Sequence, residues 1–189
     1  NDNKNFIFEN GCLYSKMKTR LLIYLQTNKQ TVFTIPQTVK DIDNFAFSHC
    51  NLETITIHDT VEKIGRFVFH ESTLKSVSIG KNLETMGINP FVTMSNLETI
   101  TIHEENKYFK MVDNVLFDIN QTRIIYYSMK KESSHYNVPN TVFVIDEYSF
   151  AYNKHISSVT IPSSVTTVSH DSFVGCSNLQ SAIFEGTKE

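Results

Sequence analysis

The chain has 189 residues, of which 40% are hydrophobic and 20% charged, and its formal net charge at pH 7 is −3. These values are typical of a folded protein and exclude a disordered segment. The scattered Lys and Arg residues lack the basic face that nucleic-acid binding requires. No apolar run approaches the roughly 20 residues that span a bilayer, so we expect no membrane contact within this chain.

The first predicted element is a β-meander within residues 6–30. Asn10–Gly11 lies between two apolar runs, and this dipeptide favours the tight turn of a β-hairpin. The segment FENGCLYSKMKTRLLIY at 8–24 aligns with MVDNVLFDINQTRIIYY at 111–127 at a constant offset of 103 residues. We therefore predict a matching meander within residues 104–135, with Asp113–Asn114 as its tight turn.

Outside these insertions the chain repeats a unit of 22 or 23 residues, and the phrase NLETITIH occurs at both 51–58 and 96–103. Apolar and hydroxyl-bearing residues alternate in such phrases, which predicts a half-buried strand. The inward positions of these strands are Leu52–Ile55–Ile57, Leu74–Val77–Ile79, Leu97–Ile100–Ile102, Ile156–Val159–Ile161 and Leu179–Ala182–Phe184. Seven residues later, second short strands are predicted around Ile42, Ile64, Met86, Ile145 and Val168.

A phenylalanine stands twelve residues after the strand end in each unit, at Phe47, Phe69, Phe91, Phe150 and Phe173. The short polar segment before it predicts a single helical turn that carries the ring inward. A unit of this size cannot bury its own apolar face, so the units are predicted to stack. The predicted fold is a single repeat solenoid over residues 1–189, mostly β with short helical turns and two β-meander insertions.

The pattern L-x-x-I-x-I-P-x-x-V-x-x-I-x-x-x-A-F-x-x-C-x-x-L resembles the BspA-like class of leucine-rich repeats. IPQTVKDIDNFAFSHCNLETI and IPSSVTTVSHDSFVGCSNLQS match it best, and the resemblance covers about residues 31–103 and 136–185. The chain departs from it at His58, Gly80 and His103, where Pro is usual. The resemblance implies a module of a cell-surface or secreted protein that mediates adhesion to host cells, matrix or other microbes.

The chain begins inside one insertion and stops just after a strand at Phe184. Neither end resembles the polar capping repeat of a solenoid. We therefore expect a fragment of a longer array, with any signal or anchor outside it.

No catalytic, cofactor or metal site is predicted. His58 and His103 share one repeat position but lie two coils apart, about 10 Å at the spacing of stacked strands, which is too far for one zinc ion to bridge. Cys50 and Cys176 share a position that other units fill with Ser, Met or Asn, so we interpret them, like Cys12, as small buried hydrophobic residues.

The outward strand positions form a column of hydroxyl groups at Thr34, Thr56, Ser78, Thr101 and Thr160. A regular column of this kind favours one of two interpretations. It is either an array that binds an ordered ligand such as a glycan, or the polar exposed face of a sheet.

Binding hot spots favour Tyr, Trp and Arg, and these residues concentrate in the insertions. The candidate partner-binding residues are Tyr14, Arg20, Tyr24, Arg123, Tyr126 and Tyr127. The tyrosines are predicted either to form rigid contacts for a partner or to cover the core of each insertion. In the strand at 123–127, alternation places Tyr126 opposite Tyr127, so one of these two groups is expected to be buried.

Asn120–Gln121–Thr122 is an N-x-S/T sequon in a predicted turn, which makes Asn120 a candidate glycosylation site in a eukaryotic secretory pathway. The predicted function is a non-enzymatic adhesion module for a protein or glycan ligand. The alternative is an intracellular repeat scaffold for protein–protein interaction. A signal peptide or an anchor in the full-length sequence would separate these two hypotheses.

Overall fold

The computed structural model describes residues 3–186. Its contacts divide the chain into two compact units, the first ending at Tyr108 and the second starting at Phe109. Each unit is a β-solenoid of the predicted repeat class. That both belong to one solenoid stays a prediction.

The first unit contains these strands among its described residues: β1 Phe6–Glu9, β2 Cys12–Ser15, β3 Arg20–Tyr24, β4 Val32–Thr34, β5 Asp41–Ile42, β6 Thr54–Ile57, β7 Lys63–Ile64, β8 Ser76–Ile79, β9 Thr85–Met86 and β10 Thr99–Ile102. They form one sheet in the order β1-β2-β3-β5-β7-β9 and another in the order β10-β8-β6-β4. Strands from successive coils pair in parallel, so each coil adds one rung to each sheet.

The register of these rungs follows the sequence repeat. Ile55 pairs with Val77, which pairs with Ile100, and the outward Thr56 lies beside Ser78. The inward side chains of β6 and β8 are buried, as the alternation predicts. In the second sheet Ile42 pairs with Ile64, which confirms the predicted short strands.

The third side of each coil is a turn, and no helix occurs among residues 3–186. The prediction of short helical turns is therefore wrong. Phe45 and His49 adopt φ values of 57° and 55°, which a right-handed helix does not allow. Between these corners, the Phe47 N–H donates to Val68 O of the next coil at 2.9 Å. This hydrogen bond connects neighbouring coils on the turn side.

The second unit contains β11 Phe109–Val112, β12 Val115–Asp118, β13 Arg123–Tyr127, β14 His135–Asn137, β15 Val144–Ile145, β16 Ser158–Ile161, β17 Thr167–Val168 and β18 Ser181–Phe184. Its sheets have the orders β11-β12-β13-β15-β17 and β14-β16-β18. Val168, Ala182 and Phe184, predicted to point into the core, are exposed. They lie on β17 and β18, which are edge strands of the two sheets formed by residues 109–186.

Aromatic columns form the core of both units. In the first unit the rings of Phe47, Phe69 and Phe91 lie 5.8 Å apart from centroid to centroid. In the second unit Phe150 stacks on Phe173 at 4.6 Å. The fully buried rings should each contribute about 2–3 kcal/mol by burial.

Both insertions are β-meanders, as predicted. The Asn10–Gly11 turn has φ values of 50° and 76°, and the Asp113–Asn114 turn has 49° and 60°. Positive φ at both central positions defines the turn type that matches the twist of a hairpin. The last strand of each meander, β3 or β13, also pairs in parallel with a repeat strand. Each meander is therefore a direct extension of a solenoid sheet.

Candidate partner-binding surfaces

The tyrosines predicted as contact residues are buried: Tyr14, Tyr24, Tyr126 and Tyr127. The prediction that these four rings lie on the surface as contacts for a partner is therefore wrong. Tyr24 stacks on Phe47 at 5.2 Å and Tyr127 stacks on Phe150 at 4.6 Å, so both rings complete aromatic columns. Tyr126 points opposite to Tyr127, as predicted, but its side is buried as well. Its hydroxyl oxygen accepts the Met129 N–H at 3.4 Å, and burial raises its pKa to about 12.

The two insertion arginines are exposed and form equivalent ion pairs. Arg20 contacts Asp43 at 2.9 Å, and Arg123 contacts Asp146 at 2.8 Å. Burial raises the pKa of the Asp146 carboxyl although Arg123 beside it acts in the opposite direction. Partner binding by Arg20 and Arg123 stays a prediction.

Asn120 is exposed in the turn between β12 and β13. The Thr122 hydroxyl donates to Asp118 Oδ2 at 2.7 Å, which fixes the end of this turn. The position is open to solvent, and glycosylation of Asn120 stays a prediction.

The histidines at the strand ends stabilise turns. His58 Nδ1 accepts the Thr60 N–H and His103 Nδ1 accepts the Glu105 N–H, each at 3.2 Å. Among residues 3–186 no group of three His, Cys, Asp or Glu side chains is placed to hold a metal ion.

All three cysteines are free and buried. Burial raises the pKa of each thiol, in the case of Cys176 to about 11. A thiol with a raised pKa is a poor nucleophile at neutral pH because the thiolate is the reactive form.

Thr56, Ser78 and Thr101 of the hydroxyl column line an open groove of about 360 Å³, which His58, Gly80 and His103 also line. Within the column Thr101 Oγ1 donates to Ser78 Oγ at 3.1 Å. These two hydroxyls thus form a hydrogen bond with each other, as expected for a cross-strand pair.

A second surface, which we call the turn face, consists of Phe45, Phe67, His49, His70 and Glu71. Phe45 is exposed and Phe67 half-buried, with ring centroids 5.5 Å apart. Their φ values are 57° and 53°, a region that is unfavourable for bulky residues. The sequence therefore places aromatic rings at positions where Asn or Gly would fit with less strain.

Polar groups of the turn face lie beside these rings. Glu71 contacts His49 Nδ1 at 3.2 Å and His70 Nε2 at 3.7 Å. The Thr93 hydroxyl donates to Val92 O and lies 2.9 Å from His70 Nδ1. The Glu71 carboxylate is exposed, so it can also accept hydrogen bonds from a donor group on a partner.

Sequence reasoning missed the turn face, although a signal for it exists. An aromatic residue precedes the column phenylalanine by two positions in FAF at 45–47, FVF at 67–69 and YSF at 148–150. The first aromatic residue of each motif stands at a left-handed corner with positive φ, and the second is fully buried.

A third surface, which we call the meander face, lies on the outer side of β1–β3 and comprises Phe6, Phe8, Leu13, Ile23 and Leu25. Phe8 pairs with Leu13 and Leu13 with Ile23, so the three side chains form one row across the sheet. Ile23, Leu25 and Phe45 line a groove of about 470 Å³ that separates the meander face from the turn face.

The repeat pattern, the two parallel ladders and the aromatic columns agree with a comparison against protein families. The model of the BspA-type leucine-rich repeat region matches residues 23–127 and 122–189, with six copies. The chain belongs to the BspA-type leucine-rich repeat family. The match includes Tyr24 and Tyr127, the tyrosines that complete the aromatic columns. This family is a repeat scaffold that generally binds proteins.

Solved structures share the fold of this BspA-type chain. A leucine-rich repeat protein from Eubacterium ventriosum is 15% identical to this chain, with a TM-score of 0.59. The match covers 96% of this chain and 70% of that protein's chain. A leucine rich cell surface protein from Faecalibacterium prausnitzii is 18% identical with a TM-score of 0.61, over 97% and 68% of the two chains. The pneumococcal vaccine antigen PcpA is 17% identical with a TM-score of 0.62, over 95% and 70%.

No curated protein matches this BspA-type chain. Residues 3–186 contain no helix of the length and hydrophobicity needed to cross a membrane.

Proposed function

We propose that this chain is a non-enzymatic adhesion module of a cell-surface or secreted protein, and that it binds a partner protein through the turn face. The observation that carries the proposal is the presentation of aromatic rings outward at strained backbone positions. Strain of this kind concentrates at functional sites. Membership of a scaffold family that binds proteins supports the same class of function.

The turn face has the rigidity that a binding surface needs. The Phe45 N–H donates to Arg66 O at 3.1 Å and the His49 N–H donates to His70 O at 2.9 Å. These bonds between coils fix the backbone on both sides of the outward ring. Binding at such a ring costs little conformational entropy in this chain, because the surface is already ordered.

The chemistry of the turn face selects a basic side chain on the partner. A Lys or Arg placed beside Phe45 would contact an aromatic ring, and its N–H groups would donate to the Glu71 carboxylate. Cation–π contacts contribute about 0.5–2 kcal/mol. Rim charges of this kind also increase the association rate. Binding should therefore weaken as salt concentration rises.

The proposed location on the cell surface is supported by two proteins of the same fold, the Faecalibacterium prausnitzii cell surface protein and the pneumococcal antigen. At the cell surface the partner would be a protein of host cells, of the extracellular matrix or of other microbes.

The experiment measures adhesion of the purified chain to mammalian cells and to a panel of immobilised extracellular-matrix proteins. Phe45→Asn and Glu71→Gln test the turn face, Thr101→Ala tests the strand face, and Arg123→Ala tests the insertion. We expect adhesion to fall about tenfold or more only in the turn-face variants. Loss of adhesion confined to Thr101→Ala or Arg123→Ala would refute the proposed site. Unchanged thermal stability of each variant would show that its fold is intact.

A further inference from the structure

The second unit carries two tyrosines and a carboxylate at the corners of its coils. We infer that these corners form a further binding site, the tyrosine face, which consists of Tyr148, Tyr152, Asp171 and Gly175 and binds a cationic side chain, an Arg or Lys of a partner protein. The inference shares the class of function proposed above, protein binding. It uses different residues, so the turn face and the tyrosine face are tested separately.

The residues of the tyrosine face stand at left-handed corners. Their φ values are positive: 58° at Tyr148, 61° at Tyr152, 54° at Asp171 and 70° at Gly175. This region suits glycine and is unfavourable for a bulky aromatic residue. Two tyrosines in one segment at such positions therefore carry backbone strain, which concentrates at functional sites.

The tyrosine segment is exposed although the chain packs on both sides of it. The Tyr127 N–H donates to Ser149 O at 2.7 Å on one side, and the Tyr152 N–H donates to Val174 O at 2.8 Å on the other. Tyr152 is nevertheless 37% exposed. Its side chain therefore points away from the stack of coils, and its exposure is a property of the corner. The same hydrogen bonds hold the backbone, so binding there orders little of the chain.

The ring of Tyr152 lies against Gly175. A β-carbon at Gly175 would lie 2.4 Å from Cδ1 and 2.8 Å from Cε1 of Tyr152, much closer than the roughly 3.5–4.0 Å of a favourable carbon–carbon contact. Any other residue at this corner would therefore displace the ring. Glycine leaves room for the ring against the backbone of the next coil, which holds a partly exposed aromatic surface in a fixed place.

Asp171 places a carboxylate beside the tyrosines. It accepts a hydrogen bond from the Tyr148 hydroxyl, and Tyr148 also interacts with Tyr152, so the three side chains form one cluster. Asp171 Oδ2 lies 2.8 Å from His170 Nδ1, and the Asp171 side chain stays 34% exposed. Because a carboxylate can accept about four hydrogen bonds, it has capacity left for a partner.

The charge around the cluster is negative. The hydrogen bond to Asp171, and to a lesser extent the charges of Asp171 and Glu147, raise the pKa of the Tyr148 hydroxyl. Both carboxylates thus act on this side chain and favour a cation near it. A guanidinium group of a partner would contact the ring of Tyr152 and donate its N–H groups to Asp171.

The two units combine aromatic rings with a carboxylate at different repeat positions. Relative to the column phenylalanine, Asp171 takes the position of Phe67 and Gly175 takes that of Glu71. The turn face therefore has its carboxylate two residues after the column ring, and the tyrosine face has it two residues before. Because the repeat does not impose this combination, its presence in both units supports a common binding chemistry.

The test is an NMR titration of the chain, labelled with ring-¹³C tyrosine, with a short peptide that carries three arginines. The resonances of Tyr148 and Tyr152 should shift with peptide concentration, while Tyr108, which is 43% exposed and lies outside the face, should stay constant. The same peptide with citrulline, which has nearly the shape of arginine without its charge, should shift none of them. Equal shifts with citrulline, equal shifts at Tyr108, or no shift at Tyr148 and Tyr152 overturns the inference.

Charge variants separate a specific site from attraction to the net charge. Asp171→Asn and Glu98→Gln each remove one negative charge, the latter from an exposed position in the first unit. We expect Asp171→Asn to weaken the affinity measured at the tyrosine resonances at least about fivefold, and Glu98→Gln to change it less than about twofold. Phe45→Asn, which tests the turn face, should leave these shifts unaltered. Equal weakening in the Asp171 and Glu98 variants contradicts the tyrosine face as a site.

Discussion

The ring of Tyr127 stacks on that of Phe150, with centroids 4.6 Å apart and 25° between their planes. Tyr24 stands in the same relation to Phe47 in the first unit, at 5.2 Å and 26°. Each meander therefore ends with a tyrosine at the position that a phenylalanine fills in the following coil. The insertions continue the core of the solenoid through these two rings.

Tyr24→Phe should leave stability unchanged or raise the free energy of unfolding by up to about 2 kcal/mol, because the buried hydroxyl of Tyr24 has no hydrogen-bond partner. Tyr126→Phe is the matched comparison. Its hydroxyl oxygen accepts the Met129 N–H, so this variant should lose about 0.5–1.5 kcal/mol. Urea unfolding of both variants checks the prediction, and a larger loss in Tyr24→Phe would contradict the assigned packing.

Phe45 and Phe47 lie two residues apart and should respond oppositely to substitution. Phe47→Ala removes a fully buried ring and should cost about 3–5 kcal/mol. Phe45→Asn removes a bulky side chain from a position with a φ of 57°, which relieves backbone strain. This variant should change the free energy of unfolding by less than about 1 kcal/mol in either direction. Thermal and urea unfolding measure both effects. Comparable losses in the two variants would show that the inward and outward assignments are wrong.

Stability should fall in alkaline solution. Burial raises the pKa of Cys176 from its usual value near 9 to about 11, and raises that of Tyr24 and Tyr126 from near 10 to about 12. The unfolded chain therefore releases these protons first, and the folded state holds more protons over this range.

The contribution of these groups to stability is complete below about pH 9 and is lost as the pH rises through 11 and 12. Urea midpoints at about pH 8 and about pH 10.5 should show the decrease. A midpoint that is constant or increases would be inconsistent with the burial of these thiol and phenol groups.

Asn120 should accept an N-linked glycan when the chain is secreted from a eukaryotic cell, because the residue is exposed in the turn between β12 and β13. Asn120→Gln provides the control that lacks the acceptor. Glycosidase treatment should increase the electrophoretic mobility of the wild type alone. A wild-type Asn120 peptide that is fully unmodified in mass spectrometry would exclude the site in that host.

The repeat made most of the fold predictable. The spacing from Ile57 to Ile64 and Phe69 fixes where one coil places two strands and a core ring, and the structure confirms these positions. The insertions interrupt this spacing, so Tyr24 and Tyr127 were not identified as members of the aromatic columns. Their chemistry alone does not distinguish a core ring from a binding hot spot.

The errors at the turns have a different origin. Polar residues before an A-F pair are compatible with a helical turn, and only hydrogen bonds to the next coil select the left-handed corners at Phe45 and His49. Burial of Tyr126 was likewise not predictable from alternation, which assigns a side chain to one face of a strand but does not determine whether that face is covered. The turn face was missed because it depends on these corners.

The location of the partner on the turn face is tested most directly by site-specific photocrosslinking. A photoreactive amino acid replaces Arg66, an exposed residue next to Phe67, or Thr101 on the strand face. After adhesion to mammalian cells, irradiation should link the partner to the chain labelled at position 66 and leave the chain labelled at position 101 free. Crosslinking from position 101 alone would contradict binding through the turn face.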